Sequence, residues 1–296
     1  MSAARTERAA WGFVSPALAA VALFLVIPVF SALLLSLTDF DIYALADIRN
    51  MRFVGLDNYV NLLGNPLFWT AMRNTAWFAV LGVPATIVAS LLAAVLLNAK
   101  MVKWRPIWRV AFFAPYVTTL VATAVVWRYL LHTRYGVINW VLDGFGIPPV
   151  DWLGQPETAI PAILIFAVWK LFGYSMLIFL AVLQTVPEEL YEAARIDGAG
   201  PVKQFRHVTL PAIAPTVLLV SIISVATFFQ LFAEPYVMTQ GGPAQSTVTV
   251  LYFMYEEGFK WWNLGSASAV AFILFLCIFA ITLVQLWVSR RLGSDT

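Results

Sequence analysis

Six stretches of this chain are predominantly apolar for 25 residues or more, and its polar residues are gathered between them. In hydrocarbon every backbone N–H and C=O must be paired internally, so a spanning segment is either a helix or part of a closed barrel. Barrel strands would read as segments of about ten alternating residues, whereas these runs are long and continuous. The pattern predicts six transmembrane helices, over about 11–37, 71–98, 107–131, 158–184, 212–239 and 264–289. Each exceeds the roughly 20 residues that cross ~30 Å of hydrocarbon. The first run is longer than the roughly 7–15 residues of a secretion-signal core and has no clear small-residue cleavage site after it, so it reads as the first helix. The whole chain, 1–296, reads as a single transmembrane domain.

Composition supports this. Of 296 residues 61% are hydrophobic and only 11% charged, against about a quarter charged in a soluble domain. That excludes a soluble or disordered chain. The net charge of +2 is too small to suggest nucleic acid. Cys277 is the sole cysteine, which excludes a disulfide framework and a Cys-based metal site. His132 and His207 lie at span ends far apart in sequence, and no metal site is expected from them.

Six spans put both termini on one side. That side carries Arg5, Arg8, Lys100, Lys103, Arg105, Arg109, Arg195, Lys203, Arg206, Arg290 and Arg291. The other carries Arg49, Arg52, Arg73, Arg128, Arg134 and Lys260, and Lys170 lies within a span. The excess of basic residues faces the cytoplasm, giving an N-in, C-in topology.

The longest hydrophilic stretch on the cytoplasmic side is 186–211, VPEELYEAARIDGAGPVKQFRHVTLP. Pro187 suits the start of a helix, and Glu188 and Glu189 suit its first turn. Gly198 and Gly200 offer a C-terminal stop. Pro201 starts a second short helix ending near Thr209, and Pro211 opens the fifth span, so the segment reads as a helix–turn–helix at the membrane surface. It serves either as a plain connector or as a docking surface. A connector does not need small Ala193, Ala194 and Gly198 on one side, or Glu192 placed for a buried partner.

Glu192-Ala193-Ala194, Gly198 after three intervening residues, and Leu210-Pro211 resemble the EAA signature of permease subunits in bacterial ATP-binding-cassette (ABC) importers. Three further stretches are similar to the carbohydrate branch of that family, with its maltose, lactose and glycerol-phosphate permeases. They are Phe53-Val54-Gly55-Leu56-Asp57-Asn58-Tyr59, Asn74-Thr75 and Thr239-Gln240-Gly241-Gly242-Pro243. The maltose permease carries extra N-terminal helices and a large insert for which this chain has no room.

The resemblance implies an all-α integral membrane fold, the type I importer permease with a cytoplasmic EAA coupling helix, in the bacterial inner membrane. It implies that Glu192, Ala193, Ala194, Asp197 and Gly198 dock a cytoplasmic ABC ATPase present in two copies. It also implies a second homologous permease and an extracytoplasmic solute-binding protein. The chain has no G-x-x-x-x-G-K-[ST] stretch to cradle phosphates. No cofactor is therefore expected in it, ATP and Mg being bound by the partner ATPase, and no catalytic residue is assigned.

Ionisable residues at membrane depth usually face the bundle interior or a water-filled cavity. Lys170 and Glu234 stand out. Lys170 and Tyr174 are four apart, on one helical face. Ser224, Thr227, Phe228 and Leu231 form a stripe with Gln230 beside it. Matched through the EAA motif, these positions resemble those lining the sugar cavity of the maltose permease, and Tyr174, Ser224 and Phe228 suit a sugar. The alternative is that they bond across helices as packing glue. Pro16, Pro28, Pro84, Pro115 and Pro215 suggest kinks.

Two other classes fit less well. An ion-coupled secondary transporter usually shows internal repeats and membrane-embedded carboxylates, whereas here no repeat is evident and Glu234 is the one acid within a span. A membrane-embedded enzyme would need a constellation such as H-E-x-x-H, which is absent.

Overall fold

The computed structural model describes residues 3–99 and 101–293. Lys100 lies outside the described residues, as do the side chains of Arg5 and Arg8. The described residues form helices joined by turns and loops, and their one β contact is an isolated bridge between Thr38 and Phe53. Five helices are long and apolar enough to span a bilayer: Trp11–Ser36, Pro66–Asn98, Pro156–Leu183, Pro201–Phe229 and Leu264–Arg291. The sixth expected span is present as two half-helices, Arg105–Val117 and Leu120–Leu130, bent by 99°. They count as one span only if taken together.

That break corrects the reading of 107–131 as one continuous helix with a local kink at Pro115, since the chain breaks three residues later, at Thr118. Thr118 and Thr119 adopt extended backbone angles between the halves. The Thr118 hydroxyl donates back to Pro115 O at 2.7 Å and the Thr123 hydroxyl to Thr119 O at 2.7 Å. Local side-chain bonds of this kind compete with the helical ladder, while hydropathy stays high across them.

The fifth span also ends early, at Phe229 instead of 239, and a short helix, Ala233–Met238, follows. The cause is Pro235. A continuous helix would need its N–H to serve the Leu231 carbonyl, and proline has none. The Thr249 hydroxyl takes that carbonyl instead, at 2.6 Å. At the other end the expected break before Pro211 does not occur. The helix runs from Pro201 into the span, with a π turn at Phe205–Thr209 just ahead of Pro211. A π turn relaxes the ladder where proline cannot donate. Pro84, Pro115 and Pro215 all sit inside helices.

The chain divides into two compact units. One comprises the segment up to Asn65 together with Met254–Phe275. There Asn58 Nδ2 donates to Ser36 O and Thr38 O at 2.9 and 2.8 Å, and the Ser36 and Tyr59 hydroxyls meet at 2.7 Å. The Gly265 N–H donates to Phe40 O at 2.9 Å, and a Cβ at Gly265 would overlap the Thr38 carbonyl. The Phe53–Tyr59 motif thus fastens the end of the first span.

The second unit comprises Pro66–Phe253 and the chain from Leu276 onward. The second span packs along the fourth and fifth, and the inner half of the third lies against the fourth. The core is apolar: Ala94 and Leu97 from the second span, Met176, Phe179, Leu180 and Leu183 from the fourth, and Ile213 and Val220 from the fifth. Small residues let the helices approach, as is usual in membranes. A Cβ at Gly82 would overlap the Phe228 ring, and one at Gly173 would overlap the Phe112 carbonyl.

Candidate functional site

The cytoplasmic elbow is built from a nine-residue helix, Glu188–Ile196. Pro187 precedes it and two glutamates occupy its first turn. Its end is a Schellman motif: Ala199 N donates to Ala194 O at 2.8 Å and Gly198 N to Arg195 O at 3.0 Å. That closure needs a left-handed residue, and Gly198 supplies it with φ +78°. The Tyr191 hydroxyl meets the Thr209 hydroxyl at 2.9 Å, which ties the elbow helix to the start of the fifth span.

The expected docking residues are open to the surroundings. Glu192, Ala193, Asp197 and Gly198 are exposed and Ala194 is half-buried. Among the described residues Glu192 pairs with Arg195, at 4.0 Å. A Cβ at Gly198 would touch nothing within 4 Å. Beside them Ile196 is 86% and Val202 80% exposed, and Leu190 is also exposed. The elbow therefore presents an exposed surface of apolar Leu190, Ile196 and Val202 beside Glu192 and Asp197.

The residues read as a solute pathway separate into two sets. Ser224, Phe228 and Leu231 are buried inside the subunit, with Phe228 seated in the notch at Gly82. Thr227 is half-buried, its hydroxyl bonded to Ile223 O at 2.9 Å, and Gln230 is exposed at the end of the span. Tyr174 is half-buried and stacks on Tyr116, with ring centroids 4.7 Å apart and planes 15° apart. Sequence reasoning missed Tyr116, whose ring reaches Tyr174 through the packing of the inner half of the third span on the fourth.

Lys170 does not reach towards an open path. It is 4% exposed. Its Nζ donates to Pro115 O at 2.5 Å and Thr118 O at 2.6 Å, with longer contacts to Thr118 Oγ1 at 3.2 Å and Tyr116 O at 3.4 Å. Glu234 is buried and its charge attracts Lys170, though among the described residues no ion pair joins them.

Asn74 and Thr75 hold the loop that runs on from the 239–243 motif. Asn74 Nδ2 donates to Gln245 O and Val248 O, both at 2.9 Å, and the Thr75 hydroxyl accepts from Val250 N at 2.9 Å. The loop they hold carries left-handed Gln240, Gly241, Ala244 and Gln245. It is closed by Thr239 on Thr247 at 2.7 Å and by Thr247 on Gly242 O at 2.8 Å. Two hollows of about 280 and 350 Å³ lie near the ends of the third span's outer half and the loop at 133–154. Neither is lined by a residue of the expected pathway. Among the described residues no group of His, Cys, Asp and Glu is arranged to hold a metal.

Residues 17–294 match the family model of binding-protein-dependent transport system inner membrane components. The chain belongs to this family. It is 37% identical over 241 residues to the arabinooligosaccharides transport system permease protein AraP of Halalkalibacterium halodurans, covering 81% of this chain and 76% of that one. It is 33% identical over 286 residues to the lactose transport system permease protein LacF of Rhizobium radiobacter, covering 95% and 94%. The fold is that of a chain in the crystal structure of a bacterial alginate ABC transporter bound to its pentasaccharide-loaded periplasmic protein. The TM-score is 0.83 at 21% identity, covering 97% of this chain and 96% of that one. The family member described here is thus a multi-pass inner-membrane transport subunit with the importer permease fold.

Proposed function

We propose that this chain is one of two homologous permease subunits of an ATP-driven importer for a saccharide. A solute-binding protein delivers the solute outside, and two copies of a separate ABC ATPase supply the energy inside. ATP and Mg are bound by that ATPase and not by this chain. The permease lies N-in, C-in, as its basic residues favour. The saccharide class is supported by the arabinooligosaccharide and lactose permeases to which the chain is similar.

The observation that carries the reading is the elbow. A soluble-looking helix is tied to the fifth span through Tyr191 and Thr209. It offers Glu192, Ala193, Ala194, Asp197 and Gly198, with exposed Leu190, Ile196 and Val202 beside them. Exposed apolar patches rimmed by polar groups mark interaction sites, and a fixed lever on a span is what transmits motion from an ATPase. On the solute side, Tyr174, Thr227 and Gln230 meet the saccharide from this subunit, and Ser224, Phe228 and Leu231 back them from within. Lys170 belongs to the same region through the backbone it holds.

The test is reconstitution of the permease pair, ATPase and binding protein in proteoliposomes. ATP hydrolysis and uptake are then measured with lactose, maltotriose and arabinotriose. Stimulated hydrolysis together with ATP-dependent uptake supports the reading. Uptake by this chain alone in ATP-free vesicles, driven by an ion gradient, would replace it with the secondary-transporter class.

A further inference from the structure

The broken third span leaves backbone carbonyls to account for. A helix that stops at Val117 has no intrahelical N–H for its last carbonyls, and an unserved carbonyl in hydrocarbon is costly. The Thr118 hydroxyl serves Pro115 O from within the bend, and the further donors come from the fourth span. The Lys170 ammonium, with three N–H groups, is shared among the carbonyls of Pro115, Tyr116 and Thr118. A cation is also the charge favoured at a helix C-terminus.

The surroundings fit the same purpose. Gly173 lies three residues from Lys170, on the same side of the fourth span. Its missing side chain lets the backbone at Phe112 approach, so the two helices come close together about one turn from Lys170. The charge of Glu234 attracts Lys170, but among the described residues no ion pair joins them. The ammonium is thus left to the carbonyls.

We propose that Lys170 is a positioning residue, which holds the third span bent by serving the carbonyls that the bend releases, and so seats Tyr116 on Tyr174. It does not touch the solute. Its effect on transport rests on the reading of Tyr174 as part of the solute pathway, whereas its effect on the bend does not.

The assembled transporter carries spin labels at Ile107 and Tyr129, both exposed, in a Cys277→Ala background. At 1.5 Å rise per residue the two backbone positions lie about 21 Å apart across the 99° bend, and about 33 Å apart in a straight helix. Lys170→Met is expected to lengthen or broaden this distance. It should also raise the half-saturating lactose, maltotriose or arabinotriose concentration for ATP hydrolysis at least about tenfold, as displaced contact groups do. Lys170→Gln keeps two N–H donors without the charge, and is expected to retain the short distance. Assembly lost in Met but kept in Gln supports donation to the carbonyls. An unchanged distance in Lys170→Met overturns the proposal. So does loss of assembly in both variants, which would assign the residue to charge pairing with Glu234. If the wild type shows no saccharide-stimulated hydrolysis, the proposed function fails, and the label distances still decide the clamp.

Discussion

Asn74 and Val248, 174 positions apart in the chain, are joined by a buried hydrogen bond of 2.9 Å from the Asn74 side-chain amide to the Val248 carbonyl. The same amide serves Gln245 O, and the neighbouring Thr75 hydroxyl accepts from Val250 N. Two adjacent polar residues near the start of the second span thus hold the loop that follows the fifth. A buried carbonyl that loses its donor costs about 1–3 kcal/mol. Asn74→Ala is therefore expected to lower the thermal unfolding midpoint of the purified subunit, and Asn74→Asp to lower it as well, because a carboxylate cannot donate. Equal midpoints for wild type and Asn74→Ala would show that the loop is held by other contacts.

This pairing bears on what was legible in the sequence. The motifs at 53–59, 74–75 and 239–243 were visible as strings, and their spacing marked the family, but nothing in a linear pattern shows that Asn74 finds Val248. The long spans were legible because hydrophobic length is itself the physical constraint in a bilayer. The break at Thr118 was not, since threonine barely interrupts hydropathy and the donor that makes the break tolerable, Lys170, lies 52 positions away. Lys170 was visible as an oddity, yet its meaning depends on which carbonyls it meets. The end of the fifth span at Phe229 could have been found from Pro235, by asking which carbonyl loses its donor.

At the elbow, Gly198 has a left-handed backbone and open space around it. Gly198→Val should disfavour the left-handed turn, at a local cost of about 1–2 kcal/mol, and place a side chain on the proposed docking face. The expected outcome is an intact subunit with unchanged span packing and strongly reduced saccharide-stimulated ATP hydrolysis. Gly198→Asn tolerates the left-handed conformation better and should retain more coupling. Wild-type transport by the valine variant would remove the elbow from the coupling mechanism.

Glu257 offers a pH dependence outside the spans. Burial pushes its carboxyl above the ordinary glutamate value of 4.5, while hydrogen bonds from Ser266 and Asn263 partly oppose the shift. In the folded state the group holds its proton to higher pH than in the unfolded chain. Its contribution to stability is therefore fully present below the unfolded value and is lost as pH rises through the folded one. The unfolding midpoint of the wild type should fall over that window, and Glu257→Gln should flatten the fall. A Gln variant with the same pH profile as wild type would place the dependence elsewhere.

The close approach of the third and fourth spans at Gly173 gives a structural test of the bend. At Gly173 any Cβ meets main chain, the Phe112 carbonyl, which cannot rotate away as a flexible side chain would. Overpacking of this kind costs about 1–3 kcal/mol, and the displacement is expected to move the inner half of the third span away from Lys170. Gly173→Ala should therefore lower thermal stability and also lengthen the contacts to Pro115 and Thr118, with Gly173→Val more severe. Gly200→Ala is the matched control. Nothing lies within 4 Å of a Cβ there, and φ is −70°, so its midpoint should stay within about 0.5 kcal/mol of wild type. If Gly173→Ala behaved like this control, the approach of the two helices would be looser than the geometry at Phe112 requires, and the glycine would not be what lets Lys170 reach the broken helix.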